Sequence, residues 1–242
     1  MVPRYAAKLK FGCAALALLV FSGTSNIANA ADAAANSWNG FYVGVTTGYG
    51  SGSGKSAGEY QGGSTDSLSN DIEWRGGLFG AQIGADMEVA HGIVAGLRGM
   101  YSGSTIQGNG NDFYCQTDGA RAGSCSGDDT AELTSLASIT ARLGFEVKSG
   151  TLLYAQAGYA RGNAHLTYHP STYDYSYEAD KTLGGYTVGA GVETQVLGNI
   201  SAFAEANYYD LGKPGVTFDD SSYSTRLKVD LMTANVGLNI RF

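Results

Sequence analysis

The sequence predicts an all-β chain, an eight-stranded antiparallel up-and-down transmembrane β-barrel with four long extracellular loops. Three observations carry that expectation. The last eleven residues, 232–242, alternate without a break: Ala234, Val236, Leu238, Ile240 and Phe242 are apolar, while Thr233, Asn235, Gly237, Asn239 and Arg241 are polar or Gly. A period of two describes a strand wetted on one face, and small polar residues opposite apolar ones suit a wall with lipid outside and a crowded polar lumen. Gly is abundant and Pro scarce, 36 against 3, and the glycines alternate with Val, Ala, Leu and Tyr inside the strand patterns, unlike those of disordered or collagenous chains. Beyond residue 30 no run of 18 apolar residues occurs, which excludes helical membrane spans.

Taken in order, the alternation recurs over eight segments. Residues 40–50 put Phe41, Val43, Val45, Thr47 and Tyr49 on one face, with Tyr42, Gly44, Thr46 and Gly48 on the other. Residues 73–89 show Phe79, Ala81, Ile83, Ala85 and Met87 outward against Gly80, Gln82, Gly84, Asp86 and Glu88. Residues 93–101 alternate Ile93, Ala95, Leu97 and Tyr101 with Val94, Gly96, Arg98 and Met100. In 132–147, Leu133, Ala137, Ile139, Ala141, Leu143 and Phe145 oppose Thr134, Ser138, Thr140, Arg142, Gly144 and Glu146. Residues 151–166 expose Leu153, Ala155, Ala157 and Tyr159, and 183–196 set Tyr186, Val188, Ala190 and Val192 against Thr187, Gly189, Gly191 and Glu193. In 200–211, Ala202, Ala204, Ala206 and Tyr208 face out, Glu205 and Asn207 in; the terminal segment is the eighth.

Short turns (Ala90-His91-Gly92, Lys148-Ser149-Gly150, Leu197-Gly198-Asn199) alternate with long connections at 51–72, 102–131, 167–182 and 212–224. Barrels of this class keep short turns on the periplasmic side and long loops outside, so both termini are expected to be periplasmic. With directions fixed, Tyr49, Tyr101, Tyr159, Tyr186 and Tyr208 form an upper aromatic girdle and Phe41, Phe145 and Phe242 a lower one. Eight rises separate Phe41 from Tyr49, ~26 Å of strand and ~20 Å of height at a tilt of ~40°. A soluble barrel has no cause to place aromatics at two heights on its outer wall.

Residues 1–30 read as a cleaved secretory signal peptide: Arg4, Lys8 and Lys10 precede an apolar run, and Ala28-Asn29-Ala30 supplies the cleavage site. Cys13 leaves with it. Processing would remove three of 15 Lys and Arg and none of 22 Asp and Glu, leaving 12 against 22, a net charge of −10 on the domain 31–242. That acidity argues against nucleic acid as a partner.

Trp38-Asn-Gly-Phe-Tyr-Val-Gly44, followed by Gly48-Tyr-Gly50 and closed by Gly237-Leu-Asn-Ile-Arg-Phe242, resembles the small alphaproteobacterial surface barrels of the RopB and outer-membrane immunogenic protein group, with its opacity-like relatives. The resemblance implies an eight-stranded outer-membrane barrel and surface antigen of a Gram-negative bacterium, without catalytic residues. It also implies that the terminal strand with Phe242 is read by the barrel-assembly machinery.

An eight-stranded barrel is wide enough only for its own side chains. The inward charges are Asp86, Glu88, Arg98, Arg142, Glu146, Glu193, Glu205 and Arg241, three Arg among five acids and no Lys. Arg suits fixed bidentate pairing, so a hydrogen-bonded plug is expected, with a narrow cation-preferring pore as the alternative. Cys115 and Cys125 are the cysteines left after processing, and in an oxidising compartment they are expected to form a disulfide. The stretch 50–56 lacks the first Gly and the helix of a phosphate-binding loop, and 109–118 lacks calcium-loop spacing. No metal or cofactor is expected.

The third loop gathers His165, His169, Tyr173 and Tyr175 with further tyrosines, a composition open to haem ligation or to adhesive contact through rigid aromatics. If the strand runs on through His169, the two His stand ~13 Å apart, too far for one iron. The expected function is that of a non-enzymatic, monomeric surface barrel serving envelope integrity and host or surface contact. Its expected partners are outer-membrane lipid, lipopolysaccharide and the assembly machinery; a pore or haem receptor is the alternative.

Overall fold

The computed structural model describes residues 38–60, 69–110, 113–115, 123–125, 127–170, 177–212, 215–217 and 223–242; the expected signal segment, Tyr173 and Tyr175 lie outside them. The strands are β1 (Gly40–Tyr60), β2 (Ser69–Ala90), β3 (Ile93–Gly110), β4 (Phe113–Cys115), β5 (Gly123–Cys125), β6 (Gly127–Lys148), β7 (Thr151–Pro170), β8 (Tyr177–Leu197), β9 (Ile200–Asp210), β10 (Gly215–Thr217) and β11 (Tyr223–Arg241). Eight of them pair antiparallel in the order β1-β2-β3-β6-β7-β8-β9-β11, and β1 closes on β11. Closure leaves the membrane-spanning wall without an edge. At the seam Tyr42 stands opposite Arg241, and Gly40, at φ +122°, lies so close to the Phe242 carbonyl that a Cβ would collide with it.

Alternation holds as expected through the lipid-facing band. Phe41, Val45, Phe79, Ile83, Leu97, Ile139, Leu143 and Val236 are exposed, and so are the five girdle tyrosines other than half-exposed Tyr208. Two expectations are corrected. Leu133 points inward and Thr134 outward, because the β6–β7 register slips between Leu133 and Ser135; one extra residue reverses every side chain beyond it. The long connections are also largely strand: β1 runs to Tyr60 and β2 starts at Ser69, while β7 and β8 run to Pro170 and from Tyr177. The apolar alternation stops where lipid stops, whereas backbone hydrogen bonding continues in water.

Seven of the eight barrel strands have 18 to 22 residues, about twice the ~10 needed to cross a bilayer; β11, at 19, is among them. The exception is β9, which ends at Asp210, after which buried Leu211 extends the ladder by one bond to Val229 and Gly212 turns away at φ +78°. Past Tyr49, β1 continues for eleven residues, ~36 Å of strand and ~28 Å of height at the same tilt.

Side-chain facing changes at the tyrosine girdle. Below it apolar residues face out and polar ones in. Above it Trp74, Ile106, Leu133, Ala164, Leu183, Leu211, Val229 and Leu231 face in and are buried, while Glu73, Arg75, Thr105, Arg161, Asn163, Thr182 and Asp180 are exposed. The wall is therefore built for lipid in its lower half and for water in its upper half.

Candidate functional site

The lower lumen holds an ionic layer drawn from six strands. Arg98 of β3 binds Glu205 of β9 at 2.6 Å; Arg142 of β6 binds Glu193 of β8 at 2.9 Å; Arg241 of β11 binds Glu193 and Asp86 of β2, each at 2.9 Å. Arg142 Nε also lies 3.4 Å from Asp86 Oδ1. All six side chains are within 2% of full burial, so each charge depends on its partner. Neutral groups complete the set: Ser201 Oγ and Asn239 Nδ2 donate to Glu193, Tyr154 OH donates to Glu205, and Gln156 Nε2 donates to Asn207. Arg142 lies over the Tyr154 ring at 4.3 Å and Arg241 over Trp38 at 4.7 Å, contacts that favour a desolvated guanidinium.

Of the eight expected luminal charges, Glu88 and Glu146 fall outside this layer. Glu88 is exposed and Glu146 half-exposed, and their carboxylates accept the N–H of Gly92 (2.8 Å) and Gly150 (2.7 Å). Both glycines have positive φ, 72° and 75°, so each Glu caps a left-handed turn that only Gly adopts cheaply. What remains is three Arg against three acids, a balanced layer that gives no electrostatic reason for cation preference.

Above it lies an apolar layer that sequence reasoning missed. Trp74, Leu78, Met100, Ile106, Leu133, Leu136, Leu183, Tyr209 and Leu231 form one buried cluster. A Cβ on Gly50 would come within 2.6 Å of Ile106 Cδ1, and one on Gly162 within 3.0 Å of Leu133 Cδ1. These glycines make room for the layer. Its sequence signal is the change of phase, seen in Trp74 and Leu78 at even positions followed by Phe79, Ala81 and Ile83 at odd ones. Trp38 and Tyr154, also missed, close the periplasmic end together with Tyr42, which the alternation had set on the inner face; the Arg241 guanidinium donates to the Trp38 carbonyl at 3.2 Å.

A lipid-facing closed wall around a filled lumen is the architecture of a bacterial outer-membrane barrel, and the comparisons agree. The profile of the outer membrane protein beta-barrel domain matches residues 13–242. The chain belongs to that family. It is similar to the 31 kDa outer-membrane immunogenic protein of Brucella melitensis, 28% identical over 96% of this chain and 95% of the relative. It is also similar to the 22 kDa outer membrane protein of Rhizobium leguminosarum bv. viciae, 26% identical over 86% and 80% of the two chains. Among solved structures, the outer membrane protein OprG of Pseudomonas aeruginosa aligns with TM-score 0.52 at 10% identity, over 84% of this chain and 96% of that one, a likeness of fold alone. This outer membrane β-barrel family member resides in the outer membrane of a Gram-negative cell.

The remaining expected sites are placed as follows. In this family member β7 continues through His169 to Pro170, paired with β6 up to Gly127, so His165 and His169 stand four residues apart on one extended strand, ~13 Å at strand rise. One iron cannot take both. His165 Nδ1 instead meets Asp180 Oδ1 at 2.7 Å on the outer wall, an acid partner not evident from sequence. Cys115 pairs in the ladder with Gly123, and Cys125 with Phe113; their side chains are outside the described set. Phe242 is exposed at the lower girdle and donates its N–H to the Phe41 carbonyl at 2.9 Å.

Proposed function

We propose that the protein is a non-enzymatic surface barrel that supports envelope integrity and meets hosts or surfaces through its extracellular strands and loops. The observation that carries this reading is the doubly filled lumen. An ionic layer and an apolar layer in series fill the described interior, which supports a role at the raised outer wall over passage of solute. Kinship with a protein named for its immunogenicity supports surface exposure.

The test pairs two measurements on the folded protein. In planar bilayers it gives no conductance beyond rare, small events. On intact cells its presence increases retention of extracellular matrix protein and resistance to detergent. Large regular current steps would replace this reading with a porin, and unchanged retention together with unchanged resistance would remove the contact and envelope roles.

A further inference from the structure

The facing change at the tyrosine girdle fixes which outward side chains lie at lipid headgroup height. Two arginines stand one outward position above it: Arg75, whose cross-strand partner Ser51 follows Tyr49, and Arg161, two residues past Tyr159. Their surroundings differ. Arg75 is bound to the neighbouring Glu73 carboxylate, whereas Arg161 is exposed with no ion-pair or hydrogen-bond partner among the described residues. The three luminal arginines are all paired. An unneutralised guanidinium at the membrane interface faces the layer of lipid phosphates.

The surface around Arg161 is open. Its cross-strand neighbours are Ala137 on β6 and Gly184 on β8, which leave its flanks bare. A Cβ on Gly184 would fall 2.6 Å from Tyr159 Oη, so the Tyr159 ring leans across the glycine and sets its hydroxyl beside the Arg161 position. That hydroxyl also has no partner among the described residues. One step higher, exposed Thr182 donates through Oγ1 to exposed Asn163 Oδ1 at 3.0 Å, and Asn163 Nδ2 is held from beneath by the buried Ser135 Oγ at 2.9 Å, which leaves a polar shelf at the surface. Below, the wall is apolar, with exposed Ile139 and Val188. From the membrane outward, apolar wall, phosphate donor and polar shelf thus follow one another along the membrane normal. On the adjacent strand β8, Asp180 meets His165 at 2.7 Å; farther round the wall Asp210 of β9 accepts the Gly212 N–H and Asp230 of β11 the Tyr208 hydroxyl, each at 2.9 Å.

We propose that Arg161, with the Tyr159 hydroxyl and the exposed Asn163–Thr182 shelf, is a binding site for the phosphorylated sugar headgroup of an outer-leaflet glycolipid. Arg presents a planar donor fork matched to phosphate, and charge-assisted contacts of this kind discriminate by about tenfold or more.

The experiment uses the whole folded barrel in detergent micelles, titrated with bisphosphorylated lipid A and, separately, with the same glycolipid after phosphate removal, bound molecules being counted by native mass spectrometry. The unaltered protein should retain the phosphorylated form about tenfold better. Arg161→Ala should erase that preference, Arg161→Lys should keep part of it, and Arg75→Ala should leave it intact. Heat-shifted gel mobility verifies that each variant is folded. Equal retention of the two glycolipids, or a preference that survives Arg161→Ala, would overturn the assignment. Loss of the preference in Arg75→Ala would place the phosphate on the other side of the barrel and overturn it as well.

Discussion

Glu193→Ala removes the acid that joins two of the three luminal arginines. In the intact protein Glu193 is fully buried, with Oε1 accepting from Arg241 (2.9 Å), Ser201 (2.6 Å) and Asn239 (3.0 Å), and Oε2 from Arg142 (2.9 Å). Without it, Arg142 and Arg241 share Asp86 alone, at 3.4 and 2.9 Å, and the six-group layer carries one uncompensated positive charge. Breaking a buried pair by deleting one partner costs ~3–5 kcal/mol. With a urea dependence of ~2 kcal/mol per M, the unfolding midpoint should fall by about 2 M. Fluorescence suits the measurement, because both tryptophans of the chain, Trp38 and Trp74, are buried in the lumen, one at each end of the packed interior. Urea titration in lipid vesicles, with Glu146→Ala as control, gives the answer: the control loses one half-exposed turn cap and should shift by about 0.5 M or less. If Glu193→Ala shifts no further than the control, the layer is solvated and does not hold the barrel together.

Other outcomes follow from the same interior. Arg142→Ala alone should leave planar-bilayer conductance near zero, since the apolar layer above still seals; steps should appear only when Trp74→Ala is added, and steps from the single variant would show that the upper layer leaks. Gly162→Val pushes a side chain into Leu133 and Leu211 and should destabilise by ~1–3 kcal/mol through overpacking, read from the same urea midpoint. Deleting Phe242 removes one backbone bond at the seam, so it should lower the amount of barrel assembled in cells far more than the midpoint of barrel refolded in vitro; normal surface levels would end its role as an assembly signal.

The membrane half of the fold was legible because lipid imposes a single rule on every strand: Val43, Ile83, Leu97, Ile139, Val188 and Val236 all obey it. The bulge at Thr134 was not legible, since one inserted residue leaves no trace in composition and Leu133 still alternates with its neighbours. Six of the eight luminal charges were placed by parity alone. Parity failed for Glu88 and Glu146 because both stand where strand meets turn, and the local demand of an unpaired glycine N–H outweighs the pull of distant arginines. The upper half was misread as loop because its apolar residues are sparse and switch faces; the switch itself, Leu78 before Phe79 and Leu231 before Met232, was present in the sequence. Parity sets Tyr42 and Tyr154 on the inward face, but it gives no cue that their rings lie against the Arg241 and Arg142 guanidinium groups.

The ion pairs of the lower lumen join strands that are not hydrogen-bonded neighbours in the wall. Asp86 of β2 reaches Arg142 of β6, and Arg98 of β3 reaches Glu205 of β9, while Glu193 of β8 holds Arg241 on the last strand of the chain. Within the open sheet Asp86–Arg142, Arg142–Glu193 and Glu193–Arg241 each bridge one intervening strand. Two contacts need the closed wall: Arg241–Asp86, which spans the β11–β1 seam, and Arg98–Glu205, which crosses the lumen. Docking of β11 on β1 therefore completes the layer like a latch: it carries Arg241 in between Glu193 and Asp86 and ties the first strands to the last across the seam. Release must run the same way, which makes the inserted barrel slow to open strand by strand and ties its lifetime in the membrane to the side chains across its interior as much as to the hydrogen bonds of its wall.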